Sequence, residues 1–310
     1  MHAHRDLDIL FPTNYSDSCY RAIPAVAQLA AELRVRVTIL HAYDSRCVTR
    51  RQAEEQIHSF FAEAAHYGDC RRVVVEGPAL NAIQSFAERN SFDLLMVPES
   101  DRFGLPRIGH KSIRARLLKS VQVPLWTLGA RVQHRGFSRP IRNIACRMAY
   151  DSPNLLHIKL AAQLADRLSA KLHLLDVIPS VDEGSLLTAL HSARPLHPES
   201  ALARIGNLTS VMKYPPEVHV ATGDGSSQMH NLLDRCEADL LFVGAGQAIR
   251  PGLWGASLEN EIGASVCPVV GVDGAALDFG GWNLAPATNR RLTSITTPST
   301  LDRGSRLAQA

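Results

Sequence analysis

The sequence predicts two α/β domains in tandem, each a parallel sheet wound on both faces by helices. Three observations point there. The length of 310 residues suits two domains at about 100–200 residues each. Short β-rich apolar runs alternate with segments of helical period, the pattern of a parallel sheet covered on both sides. The pattern also occurs twice. Val26-Ala-Gln-Leu-Ala-Ala-Glu-Leu33 lies over Ala161-Ala-Gln-Leu-Ala-Asp-Arg-Leu168, and the same alignment sets Ile9, Tyr15 and Leu40 on Ile144, Tyr150 and Leu175. Further along, Asp93-Leu-Leu-Met-Val97 matches Asp239-Leu-Leu-Phe-Val243, Gly77 falls on Gly223, and Pro124 falls on Pro268. Two copies of such a unit make a tandem pair and not a solenoid.

In the first copy, residues 8–12 form a short apolar run that ends at a proline, as a buried strand does. Residues 16–33 have helical spacing, with Ser16 or Ser18 as N-cap. Pro24 inside that span suits a first turn or a kink. Strands follow at 36–42, 72–76, 93–97 and 123–128, and helices at 50–66, 80–89 and 112–120. The second copy places strands near 143–148, 171–177, 217–221, 239–243 and 268–272. Between 179 and 216 it has a long loop in which 186–191 and 201–211 are helix candidates. The boundaries expected are 6–130 for the first domain, 131–141 for a linker and 142–273 for the second. The Gly-, Thr- and Ser-rich segment 274–310 lacks periodicity and reads as a disordered tail. The stretch from Gly129 to Arg142 carries four arginines and no acid. A solvated connector is the simpler explanation for it, and an anion or partner contact the sharper one.

Composition narrows the function classes. A net charge of +3 gives no strong nucleic-acid footprint. No stretch approaches the ~20 apolar residues of a membrane span, and no secretory signal opens the chain. The six cysteines form no C-x-x-C pair, as expected of reduced, mostly buried thiols in a cytoplasmic protein.

The segments ILFPTNYSDSCYRAIPAVAQLAAELRVRVTILHAY and FDLLMVPESDRFGLPRIGHKSIRARLLKSVQVPLWTL resemble the first and last parts of a universal stress protein domain. IACRMAYDSPNLLHIKLAAQLADRLSAKLHLLDV and ADLLFVGAGQAIRPGLWGASLENEIGASVCPVVGV resemble the same domain again. The likeness covers about residues 6–273. It implies two tandem Rossmann-like, five-stranded domains forming an intramolecular pseudo-dimer.

Members of that family divide into ATP binders and non-binders. The binder pattern has an acid after the first strand, then Gly-x2-Gly-x9-Gly-Ser/Thr after the fourth. Glycines there allow close backbone approach, and helix N-terminal amides hold phosphate. In the first copy the acid position falls on Asn14, the leading glycines on Pro98 and Asp101, and the final pair on Lys111-Ser112. Proline removes an amide donor, and the aspartate sets a negative charge where phosphate would lie. Each lost charge-assisted hydrogen bond costs about 1.5–3 kcal/mol. The first copy is therefore expected not to bind ATP. In the second copy Gly244, Gly246, Gly255, Ala256 and Ser257 form the candidate nucleotide loop, for ATP or AMP. Their spacing departs from the pattern, and the acid position falls on Ala149, with Asp151 two residues on. A glycine-rich loop before a helix is a weak signal alone.

The basic run from Arg102 to Arg116 reads first as a solvated loop and helix face. His2 and His4 are terminal, and His41 ends a strand near the crevice where such folds bind ligands. Neither H-x-x-x-H nor H-E-x-x-H occurs, so no metal site is expected. There is no G-x-S-x-G elbow or phosphate loop with its lysine, so no catalytic residues are assigned. Asp17 and Asp151 are explained by the helix dipole. The expectation is a non-catalytic stress-response protein that acts through protein partners, with an oligomer of pseudo-dimers as a candidate assembly. The alternative is an asymmetric nucleotide sensor using the second copy.

Overall fold

The computed structural model describes residues 6–98, 113–118, 120–129, 132, 137, 139–148, 156–178, 199, 215–244 and 265–272. In the first copy these form β1 (Leu7–Thr13), α1 (Asp17–Glu32), β2 (Val35–Tyr43), α2 (Arg50–Ser59), α3 (Ala64–Tyr67), β3 (Gly68–Glu76), α4 (Ala79–Arg89), β4 (Leu94–Met96), α5 (Ile113–Leu117) and β5 (Leu125–Thr127). The second copy supplies β6 (Asn143–Arg147), α6 (Leu156–Leu168), β7 (Lys171–Ile178), β8 (Glu217–Thr222), α7 (Gly225–Arg235), β9 (Leu240–Gly244) and β10 (Val269–Val272).

The strands join into one sheet of ten in the order β3-β2-β1-β4-β5-β10-β9-β6-β7-β8. Each half is parallel throughout and has the same internal order, as a duplicated doubly wound unit requires. The halves meet where β5 and β10 pair antiparallel, with Val269, Val270 and Gly271 opposite Thr127, Trp126 and Leu125. The repeat that sets Pro124 on Pro268 also sets Trp126 on Val270. The approximate twofold therefore passes between these two residues.

So short a ladder does not hold two domains together alone. Both faces of the sheet carry a core that runs through the junction. On one, Trp126, Leu128, Val132, Ile141 and Val270 join Leu29 and Leu33 to Ile158 and Leu164. On the other, Leu125, Val121, Val269 and Cys267 join Leu95 and Leu117 to Leu233 and Leu241.

The repeated residues have structural work in common. Gly77 and Gly223 turn the chain after β3 and β8 with φ of 124° and 139°, a region side chains avoid. Each donates its amide to a carbonyl at the end of the neighbouring strand, Tyr43 or Ile178, both at 2.9 Å. Asp93 accepts from the Asp8 amide at 3.0 Å, and Asp239 accepts from the amides of Arg142 and Asn143 at 2.8 and 3.0 Å. The aspartate that opens the fourth strand of each copy thus satisfies the start of the first.

Several sequence expectations are refined. Ser16 is the N-cap of α1 by position, and Pro24 lies within the helix body. The single helix expected at 50–66 is two. Phe61 turns left-handed at φ 51°, and the Arg72 guanidinium donates to the carbonyls of Ile57 and Phe61 at 3.2 and 3.0 Å. That fixes the break and buries Phe60 and Phe61. The Thr49–Gln52 capping box starts α2, and Asp224 caps α7 through the Ser227 amide at 2.9 Å. The linker is docked where it is described. Val132 and Ile141 are in the core, Arg139 pairs with Asp239 at 3.2 Å, and Glu32 accepts from the Ile141 amide at 2.9 Å. Arg139 and Arg142 are thereby engaged within the chain, Arg142 reaching the Leu168 carbonyl at 3.0 Å. The helix candidates at 186–191 and 201–211 and the tail 274–310 lie outside the described residues.

Candidate functional site

In a doubly wound fold the ligand crevice lies at the carboxyl ends of the strands. In the first copy that edge is formed by Thr13, Tyr43 and Met96, at the ends of β1, β2 and β4. Asn14 follows β1, at the position that the nucleotide-binding pattern gives to an acid. Its Oδ1 is already committed: it accepts from the Ser16 amide at 3.1 Å and from the Cys19 thiol at 3.2 Å. It serves the first turn of α1 as a local cap.

The next residue fills the crevice. Tyr15 has φ 62°, a left-handed conformation that costs a bulky side chain of order 1–2 kcal/mol. The turn swings its ring over the sheet edge. It lies 4.4 Å from the His41 ring, centre to centre, and 5.7 Å edge-on from Phe60. Tyr20 packs edge-on against the same Phe60 at 4.9 Å. His41 is held from beneath, its Nδ1 donating to the Thr13 carbonyl at 3.0 Å. Burial, reinforced by nearby Tyr20, pushes the Tyr15 hydroxyl up to about 12. That hydroxyl has no hydrogen-bond partner among the described residues. At the crevice of the first copy, Tyr15, His41 and Phe60 form an aromatic cluster over β1 and β2, and Asn14 stands where the nucleotide-binding pattern has an acid.

The second copy differs at matching positions. Where the first has Ala22 and Pro98, it has His157 and Gly244. His157 is buried on α6, and its Nε2 lies 3.2 Å from the Arg147 carbonyl. Burial is the larger influence and pulls its imidazole down to about 4, against a smaller upward effect of that carbonyl. Gly244 closes β9 beside it. A Cβ there would come within 3.2 Å of His157 Nδ1, so the missing side chain makes room for the ring. Asp176, aligned with His41, is buried at the end of β7.

Of the five candidate loop residues, Gly244 is described, and it touches His157. Gly246, Gly255, Ala256 and Ser257 lie outside the described residues, as do Asp101, Lys111, Ser112, Ala149, Asp151 and most of the basic run at 102–116. Tyr15 escaped the sequence reading except as a repeated residue. Its signal was an aromatic beside Asn14 in a polar turn, with His41 at the end of the adjacent strand.

No protein-family model matches the chain, and no curated protein does. Solved structures do. A universal stress protein from Archaeoglobus fulgidus DSM 4304 superposes with a TM-score of 0.63 at 14% identity, covering 86% of this chain and 98% of the other. A protein of unknown function from Pseudomonas aeruginosa PAO1 gives 0.55 at 13% identity, covering 86% and 92%. The class defined is a tandem pair of Rossmann-like α/β domains joined through one sheet. Within that class, the fold is that of the universal stress proteins. Among the described residues, no helix is long and apolar enough to cross a membrane.

Proposed function

We propose that the chain is a non-catalytic, tandem stress-response protein with domains over 6–130 and 142–273. It acts through protein partners, and its first domain takes no nucleotide. One observation carries this reading: Tyr15, His41 and Phe60 pack into the crevice of the first copy while Asn14 caps its own helix. A nucleotide there would have to displace the half-buried rings of Tyr15 and His41 and would meet Asn14 in place of the acid. A first domain without nucleotide leaves the ten-stranded body as a platform for other proteins.

The test is the small-molecule content of freshly purified full-length protein, released by denaturation and identified by mass spectrometry. An empty protein is expected. About one ATP or AMP per chain would favour the sensor reading and direct mutagenesis to Gly244, Gly246, Gly255, Ala256 and Ser257. About two per chain would overturn the proposal, because the first domain would then be loaded as well.

A further inference from the structure

The opposite end of the second half-sheet holds a cluster that no motif announces. His173 lies near the start of β7, and Glu217 and His219 lie two apart on the outer strand β8. The two strands run in register with His173 opposite Glu217. All three side chains therefore rise on one face, because strand side chains alternate. His173 Nδ1 is 3.1 Å from His219 Nε2 and 3.3 Å from Glu217 Oε2, and the last two atoms are 3.9 Å apart.

The protons settle the chemistry. Asn143 donates its Nδ2 to the Glu237 carbonyl at 3.4 Å, so its Oδ1 faces His173 Nε2 at 3.3 Å. Nε2 of His173 must then carry the proton, which leaves Nδ1 with a lone pair. That lone pair and the Glu217 carboxylate oxygen confront each other as two acceptors. Lys171 holds the other oxygen, Oε1, at 3.0 Å and keeps the carboxylate turned to the cluster. Three donor atoms thus converge with a single exchangeable proton, that of His219 Nε2, among them. A tetrahedral ion with bonds of 2.0–2.2 Å needs ligand atoms about 3.3 Å apart, close to the spacing here.

We propose that His173 Nδ1, His219 Nε2 and Glu217 Oε2 bind a divalent transition-metal ion, zinc being the reference case. Two imidazoles and one carboxylate suit zinc and its neighbours better than calcium or magnesium. Asn143 is the outer partner that fixes the tautomer of His173, as such ligands require. Binding moves the His219 proton from Nε2 to Nδ1 and releases none. Half-exposed Glu217 leaves a fourth position to water. Burial disfavours the charged form of both imidazoles, with Glu217 opposing this at each. Among the charged neighbours, Lys171 and Arg235 on α7 oppose a cation and Glu217 favours it. The ion would clip the outer strand β8 to β7. In the first copy the matching positions are Thr38, Arg71 and Val73, which offer no such set.

The experiment titrates metal-free, full-length protein with zinc near neutral pH, following heat and thermal stability. Cobalt then serves as a spectroscopic probe of tetrahedral coordination. One zinc per chain is expected, with a rise in melting temperature. His219→Gln and Glu217→Gln, both at the sheet rim, should weaken binding by more than tenfold. Asn143→Ala should weaken it by about 10–100-fold through the tautomer. Melting curves of the metal-free variants check that they fold. Absence of binding at stoichiometric zinc would overturn the proposal. So would binding that survives both rim variants and disappears with His2→Ala and His4→Ala, which would mark adventitious terminal capture.

Discussion

The two halves of the sheet share strand order, glycine turns and aspartate braces, yet they differ at both ends of their strands. At the carboxyl end the first half carries a ring cluster around Tyr15, and the second carries His157 against Gly244. At the amino end the first half pairs Arg36 with Asp8 at 2.6 Å, and the second sets His173, Glu217 and His219 together. Duplication kept what closes the sheet and released what sits at its edges. Backbone amides and buried apolar faces constrain a residue whatever the function, and rim positions are free of that constraint.

Four substitutions or conditions break or sharpen this contrast. The largest effect is expected at Phe60, which is fully buried and backs the ring cluster found in the first half. Phe60→Ala should lower stability by about 3–5 kcal/mol, measured by urea unfolding. A loss under 1 kcal/mol would mean the cluster is not a packed core element.

Next comes acid sensitivity in the second half. His157 is depressed from its ordinary 6.5 to about 4, so the unfolded chain binds its proton first. Stability contributed by neutral, buried His157 is present above pH 6.5 and is lost as pH falls toward 4, by about 3 kcal/mol in full. His173 and His219 are shifted in the same direction and add to the slope. His157→Gln should flatten this acid limb without abolishing it. An unchanged slope would contradict the burial assigned to the ring.

Asp239 braces the second half through two amides and Arg139. Asp239→Ala should cost about 1.5–3 kcal/mol, read from the denaturation midpoint. Asp93→Ala should fall in the same range if the brace is truly shared. The smallest effect is expected at Gly244. Gly244→Val crowds the His157 ring and should cost about 1–3 kcal/mol. A double-mutant cycle with His157→Ala should recover most of it. Additive costs would show that the two residues do not share space.

Much of the fold was legible because it rests on local pattern. The repeat implied that both halves share one topology, and the alternation of strand and helix pointed to a parallel sheet; the strand order itself comes from the structure. The break at Phe60 and Phe61 was not legible. It depends on Arg72, from a later strand, taking two carbonyls that a continuous helix would have kept. The docked linker was missed for a related reason. Its partners Glu32 and Asp239 are distant in sequence, and four arginines without an acid looked solvated. At the site, Asn14 and Pro98 are legible in the sequence as departures from the family's nucleotide pattern. The ring cluster beside Asn14 was not legible, since nothing in one sequence says that Tyr15 turns left-handed onto His41. The convergence of His173, Glu217 and His219 was not legible from helical histidine spacings, because it is built on two strands. Glu217 and His219, two apart on a strand, give the period that would have pointed to one face of a sheet.

The central claim is that the first crevice is closed to nucleotide. It is tested most directly by calorimetric titration of full-length protein carrying Gly246→Asp with magnesium ATP. That substitution puts a charge into the candidate loop of the second copy, so any remaining binding reports on the first. No binding in the micromolar range is predicted. A micromolar isotherm with one site per chain would contradict the account, because Tyr15, His41 and Phe60 would have to part to admit the nucleotide.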